Sequence, residues 1–170
     1  MRIRPVVTQV DVPVQDSEFL RSRLVIDDLF QSNKVTWVQS HHDRILLGGI
    51  DLEDAKINLE APEDFGTDFL LERREVGIAC LSGAVSVVAD GVTFELGEED
   101  IVYLGCGTRS VTLSGKGILY LSSSMSHRIL PAKLIKRSEA ETVVIGDQKN
   151  ASERTLRKYI HDNGAPSSSM

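Results

Sequence analysis

The sequence predicts an all-β barrel or jelly roll with one minor N-terminal helix, on two observations. Short runs of β-branched and aliphatic residues recur along most of the 170 residues, separated by glycine, proline or acidic breaks. In "AVSVVADGVTFELG", Asp90-Gly91 joins two alternating runs, and an Asp-Gly pair supplies the positive φ values that a type I′ hairpin turn requires. Hydrophobic content of 41% and charged content of 26% are ordinary for one domain with a real core.

The helix is expected over 16–23, "DSEFLRSR", capped by Asp16 or Ser17, with Phe19, Leu20 and Leu24 as its apolar stripe. Strand patterns follow in "LVIDDLF", "KVTWVQS", "RILLGGI" and "AKINLE", read as separate short strands, with a bulge or bend at Gly48-Gly49 and Trp37 in the core. The hairpin then places Val92, Phe94 and Leu96 on one face. "DIVYLG", "RSVTLSG", "GILYLSSS", "TVVIG" and "RTLRKYI" continue the pattern, for at least ten short strands. Closure into a barrel or jelly roll removes the exposed edges such a set would leave. Residues 1–160 are expected to form this domain, and the polar "HDNGAPSSSM", 161–170, to be a linker or the ragged end of a domain.

A net charge of −6 argues against nucleic-acid binding, although a local arginine cluster can still hold a small anion. No apolar run reaches the roughly 18 residues of a membrane span, and the start carries no secretory leader pattern. The two cysteines, Cys80 and Cys106, form neither a CxxC motif nor a disulfide framework and are expected to be buried reduced thiols. A cytoplasmic location is expected. Ser122-Ser123-Ser124 lacks the flanking glycines of a nucleophile elbow.

Four segments together carry a family likeness: "SHHDRILLGGI" at 40–50, "FLLERREVGI" at 69–78, "DGVTFELGEEDIVYLGCG" at 90–107 and "RTLRKYI" at 154–160. They resemble the N-terminal part of the 5-keto-4-deoxyuronate isomerase (4-deoxy-L-threo-5-hexosulose-uronate ketol-isomerase) family, enzymes of pectin degradation. The resemblance implies a cupin-like barrel, the first of two in a longer chain, with 161–170 as the truncated start of a second, missing cupin domain, and assembly into homo-oligomers (hexamers). It implies isomerisation of 5-dehydro-4-deoxy-D-glucuronate, an aldehyde uronate, to the ketose 3-deoxy-D-glycero-2,5-hexodiulosonate. It also implies zinc, held in the family's second half by histidines and a glutamate in an H-x-H-E-R-R type of segment. Those ligands are absent from this chain. Where a barrel metal site wants two histidines two residues apart, this sequence has Phe69, Leu70 and Leu71, and where a later histidine is usual it has Arg109 and Ser110. No metal is therefore expected here.

The remaining candidates each carry two readings. His41 or His42 is an acid–base group, or the pair is a polar strand end settled against Asp43. On a strand, at most one of the two faces inward. Arg44 is a clamp for a substrate carboxylate. Glu72-Arg73-Arg74-Glu75 is an anion-binding strand in which Arg73 and Arg74 hold substrate, or an ion-paired strand at an interface. His127 and His161 stand alone and are expected to be structural or surface residues. Two functions follow: the isomerase, with this chain supplying one half, or a non-catalytic cupin-like module for scaffolding, oligomerisation or sugar-acid binding.

Overall fold

The computed structural model describes every residue from 1 to 170 except Asp43. The expected pairing of His41 or His42 with Asp43 lies outside the described residues. The chain adopts the all-β, cupin-like jelly roll that the sequence predicts. Its strands are β1 (Arg2–Arg4), β2 (Thr36–Ser40), β3 (Leu46–Asn58), β4 (Arg74–Ala89), β5 (Val92–Leu96), β6 (Ile101–Leu104), β7 (Val111–Met125), β8 (Lys133–Ile135), β9 (Glu141–Ile145) and β10 (Arg154–Lys158). Helix α1 spans Ser17–Leu24, and Asp16 caps it by accepting the Phe19 N–H at 2.8 Å. No helix is long and apolar enough to cross a membrane among the described residues.

Eight strands form one sheet in the order β1-β2-β3-β7-β4-β6-β8, with β5 also paired to β4; β9 and β10 form a separate antiparallel pair. β3, β4 and β7 run the full length of the roll and bend at one level. β3 carries an extra residue at Asp54, β4 carries one at Leu81, and β7 crosses the same level at Gly115 and Gly117. A one-residue bulge exchanges the faces of a strand. Val76, Ile78 and Cys80 point inward before the bulge in β4, and Val85, Val87 and Ala89 point inward after it. All six enter one contiguous core with Leu113, Leu119 and Leu121 of β7. At the bend, backbones touch: a Cβ on Gly83 would lie 2.3 Å from the Lys116 carbonyl oxygen. Cys80 is buried, and burial pushes its thiol pKa up; both cysteines are free.

Several sequence expectations are corrected. "LVIDDLF" is not a strand: Leu24 ends the helix and 25–30 is a crossing loop that lays Leu29 over Gly49. "RILLGGI" and "AKINLE" are one strand, β3, as are "RSVTLSG" and "GILYLSSS", β7. A bulge hides such continuity, because the period-2 pattern breaks where the strand does not. Gly48 and Gly49 sit in regular pairing with Trp37 and Thr36. Their lack of a side chain makes room for the Trp37 ring on one face and Leu29 on the other. Phe69–Arg73 is a turn, and β4 begins only at Arg74. The hairpin is as expected, with φ of 46° at Asp90 and 83° at Gly91.

The loop 59–73 closes the open side of the roll. Leu59 N–H donates to the Val111 carbonyl at one end, and Arg74 pairs with Met125 at the other. Leu59, Leu70 and Leu71 enter the core along the way, with Phe65 packed against it. Residues 161–170 lie against the outside of β4 and β6. Ala165 is fully buried with Tyr103 and Ile135, and Lys133 Nζ donates to the Gly164 carbonyl at 2.7 Å.

Candidate functional site

The barrel mouth is formed where β2 ends, β4 begins and β7 ends. Arg74 lies on the same face of β4 as Val76 and Ile78, so its side chain turns toward the interior at the mouth. Ser123 continues the inward row of Leu119 and Leu121 on β7 in the same way. The guanidinium, on a residue only 6% exposed, is held by Ser123. Nε donates to Ser123 Oγ at 3.1 Å, Nη2 donates to the Ser123 carbonyl at 2.8 Å and the Arg44 carbonyl at 3.2 Å, and Nη1 reaches Met125 Sδ at 3.3 Å. The Phe65 ring lies 5.4 Å from the guanidinium carbon. Burial lowers the Arg74 pKa from its ordinary value, because the charged form loses hydration. No carboxylate forms an ion pair with it among the described residues.

A cleft of about 280 Å³ opens at this mouth, lined by Gln39, Asp64, Phe65, Thr67, Leu70, Arg73, Arg74 and Met125. Arg73 is on the rim, its side chain 69% exposed and 3.4 Å from Glu72. Thr67 Oγ1 is buried without a hydrogen-bond partner among the described residues.

The candidates from the sequence fall at one end of the roll without forming one cluster. Arg73 and Arg74 share the cleft. Arg44 contributes its carbonyl to Arg74, while its own residue is exposed, with φ of 56° in the turn between β2 and β3. His41 is exposed, and its N–H donates to the Arg4 carbonyl at 2.9 Å. His42 Nε2 accepts the Val7 N–H at 3.2 Å, which requires the neutral ring to carry its proton on Nδ1. Neither histidine lines the cleft. Gln39 and Thr67 were not singled out from the sequence, and Ser123 was weighed there only as a nucleophile. The available signal was a polar residue continuing an inward apolar row to a strand end, as Gln39 does after Trp37 and Ser123 does after Leu121.

Glu75, on the opposite face of β4 from Arg74, is fully buried and ion-paired with nothing among the described residues. Its carboxylate accepts Tyr103 Oη–H at 2.7 Å, the Ser169 N–H at 2.7 Å and the Ser168 N–H at 2.9 and 3.0 Å. The hydroxyls of Ser124 and Ser126 approach at 3.4 Å. Burial, and then the bond to Glu75, pushes the Tyr103 pKa up, so the phenol stays a donor. These bonds tie the C-terminal segment to the barrel.

The positions read from the sequence in place of metal ligands, Phe69, Leu70 and Leu71, carry no metal-donor side chains. The triplet read at the ligand positions is a turn whose Leu70 and Leu71 are packed into the core, and the polar group at the mouth is a cation. Arg109, read in place of the later histidine, stacks over Phe69 at 5.5 Å. Its N–H and that of Ser110 donate to the Asp90 carboxylate.

Comparison with known proteins matches residues 24–170 to the KduI/IolB family model. A 4-deoxy-L-threo-5-hexosulose-uronate ketol-isomerase of Agrobacterium fabrum is 35% identical over 86% of this chain and 53% of its own length. One of Cereibacter sphaeroides is 34% identical over 98% of this chain and 61% of its own. The chain thus spans between half and two thirds of the length of these relatives. Among solved structures, an IolB-like protein of Salmonella typhimurium LT2 superposes with a TM-score of 0.55 at 19% identity, covering 66% of this chain and 43% of that one, a likeness of fold. The four sequence segments that first suggested the kinship lie within or beside the strands of a roll to which the family model aligns almost end to end, and the chain belongs to the KduI/IolB family.

Proposed function

We propose that this chain is the N-terminal, metal-free barrel of a 4-deoxy-L-threo-5-hexosulose-uronate ketol-isomerase. In this reading residues 1–160 form the barrel, and 161–170 lead toward a second barrel that carries the zinc chemistry. The reaction moves a proton between neighbouring carbons of a sugar acid through an enediol. The first barrel supports that chemistry by scaffolding, with Arg44, Arg73 and Arg74 as the groups offered to the substrate carboxylate. His41 is the freer of the two candidate acid–base imidazoles, since His42 is engaged by Val7.

The observation that carries the scaffold role is the filled interior. Leu46, Ile50, Leu52, Leu71, Ile78 and Leu121 all pack fully buried where a catalytic barrel needs a cavity with convergent polar groups. A second, non-catalytic reading as an oligomerisation module is favoured by the β9–β10 pair. Val144 is 63% exposed there, and Val143, Ile145 and Leu156 are also exposed.

The test is a chimera of the Agrobacterium fabrum relative whose matching stretch is replaced by this chain, assayed beside the 170-residue chain alone. Turnover of the uronate by the chimera and none by the chain alone supports the proposal. A folded chimera without turnover overturns the isomerase reading, and enzyme-like turnover by the chain alone overturns the scaffold reading.

A further inference from the structure

We propose that Glu75 is a positioning residue: it anchors the chain at the point where it departs for a second barrel, and so holds the two barrels in one relative placement. This rests on reading the chain as the first barrel of an isomerase. Glu75 is fully buried on the outer face of β4, where an apolar residue would seat a covering segment without the cost of dehydrating a carboxylate. What a carboxylate adds is direction, because its oxygens accept only from donors that face them. Those donors include the tail's own backbone. The successive N–H groups of Ser168 and Ser169 converge on it at 2.7 to 3.0 Å, as in the backbone nests that hold anions. Ser167 keeps them aimed: its hydroxyl donates to the Met170 carbonyl at 2.6 Å and accepts the Met170 N–H at 3.1 Å, closing 167–170 into a turn.

Groups distant in sequence complete the anchor. Tyr103 of β6 donates to the same carboxylate at 2.7 Å, and the His127 N–H, just past β7, donates to Ser168 Oγ at 3.0 Å. Upstream, Ala165 is buried against Tyr103 and Ile135, and Lys133 holds the Gly164 carbonyl. Those contacts fix the tail only as far as residue 165, so Glu75 governs residues 166–170. Freed, that stretch can extend over as much as about 17 Å; held, it gives the chain a single point of departure. Glu75 directly follows Arg74, whose side chain turns to the mouth. The strand that offers a group to the substrate thus also fixes where the chain leaves for the second barrel. Such placement matters, since a misplacement of about 1 Å can slow a reaction about a hundredfold.

The test uses the chimera with the Agrobacterium fabrum relative, at a temperature where every variant compared is folded. Glu75→Ala is expected to lower kcat about tenfold or more while KM changes less, because the arginines offered to the carboxylate stay in place. Small-angle X-ray scattering of the same sample is expected to give a larger radius of gyration. Ser169→Pro deletes one N–H donor from the tail side and leaves the barrel untouched. It is expected to shift both readings the same way, which keeps the test decisive where Glu75→Ala fails to fold. Lys133→Ala, which loosens the tail upstream of the anchor, is expected to match the parent. Parent-like scattering or parent-like kcat in both Glu75→Ala and Ser169→Pro, or an equal loss in Lys133→Ala, overturns the proposal. A folded chimera without turnover overturns the isomerase reading, and its scattering still decides whether Glu75 holds the second barrel in place.

Discussion

Replacing Glu75 with glutamine is expected to loosen the C-terminal segment before it unfolds the barrel. The two carboxylate oxygens are used differently. Oε1 accepts the Ser169 N–H at 2.7 Å and the Ser168 N–H at 3.0 Å; Oε2 accepts Tyr103 Oη–H at 2.7 Å and Ser168 N–H at 2.9 Å. An amide nitrogen in the first position would face two N–H donors and in the second only that of Ser168, beside the Tyr103 hydroxyl, which can rotate to accept, so the glutamine turns its nitrogen toward Tyr103. The Ser168 and Ser169 bonds then survive through one neutral oxygen. Bonds to a charged group contribute about 1.5–3 kcal/mol and neutral ones about 1, so three weakened bonds lose about 3 kcal/mol together. Relief from burying a charge offsets part of this, leaving about 2 kcal/mol. For a domain of this size that is about 4–8 °C in melting temperature if the whole protein unfolds as one unit. It is also roughly a thirty-fold rise in amide exchange at Ser169, since 1.36 kcal/mol is a factor of ten. Thermal melts and hydrogen-exchange NMR read both, with Tyr103→Phe as a control that removes one donor and leaves the Ser168 and Ser169 bonds. Unchanged Ser169 exchange with a melting shift below about 1 °C would refute the reasoning, because the carboxylate would then not be what holds the segment.

Leu121→Ala removes a fully buried side chain from the central strand β7 and is expected to cost about 3 kcal/mol in urea unfolding. Gly83→Ala, with φ of 86° and a Cβ 2.3 Å from the Lys116 carbonyl oxygen, is expected to destabilise by more than about 3 kcal/mol. Gly91→Ala, at φ of 83° with open space around it, is expected to cost only about 1 kcal/mol, and equal losses at the two sites would contradict the close approach at the bend. At Asp100, burial raises the pKa. The Lys136 ammonium and the Arg137 and Gly97 N–H groups outweigh it and leave the carboxyl below its usual value. The Ser110 N–H bond chiefly lowers Asp90. A carboxylate held low in the folded state stabilises above its unfolded pKa and loses that contribution as pH falls through the folded value. Stability should therefore decline below about pH 4, and Asp100→Asn should flatten that decline; a variant with the same acid limb as the parent would exclude Asp100 as a cause.

Local chemistry made the hairpin, the helix cap and the all-β class legible in the sequence. Asp90-Gly91 needs no partner to favour its turn, Asp16 caps the helix from three residues away, and period-2 alternation is a property of a strand alone. The family likeness was legible too, because its four segments are contiguous stretches. Only the tertiary structure decided the rest. The bulges at Asp54 and Leu81 reverse which residues face inward, and nothing local marks them, since their cause is the common bend of three strands separated widely in sequence. Arg74 and Glu75 are neighbours of opposite charge in a run that reads as an ion-paired surface. The pleat sends the first into the barrel mouth against Ser123 and the second outward, to be buried under the serines of a segment 93 and 94 residues further along. Which of two adjacent charges meets a cleft and which becomes a tether depends on strand register and on what packs over each face. Both are set by contacts distant in the chain, which the sequence contains but its local patterns do not express.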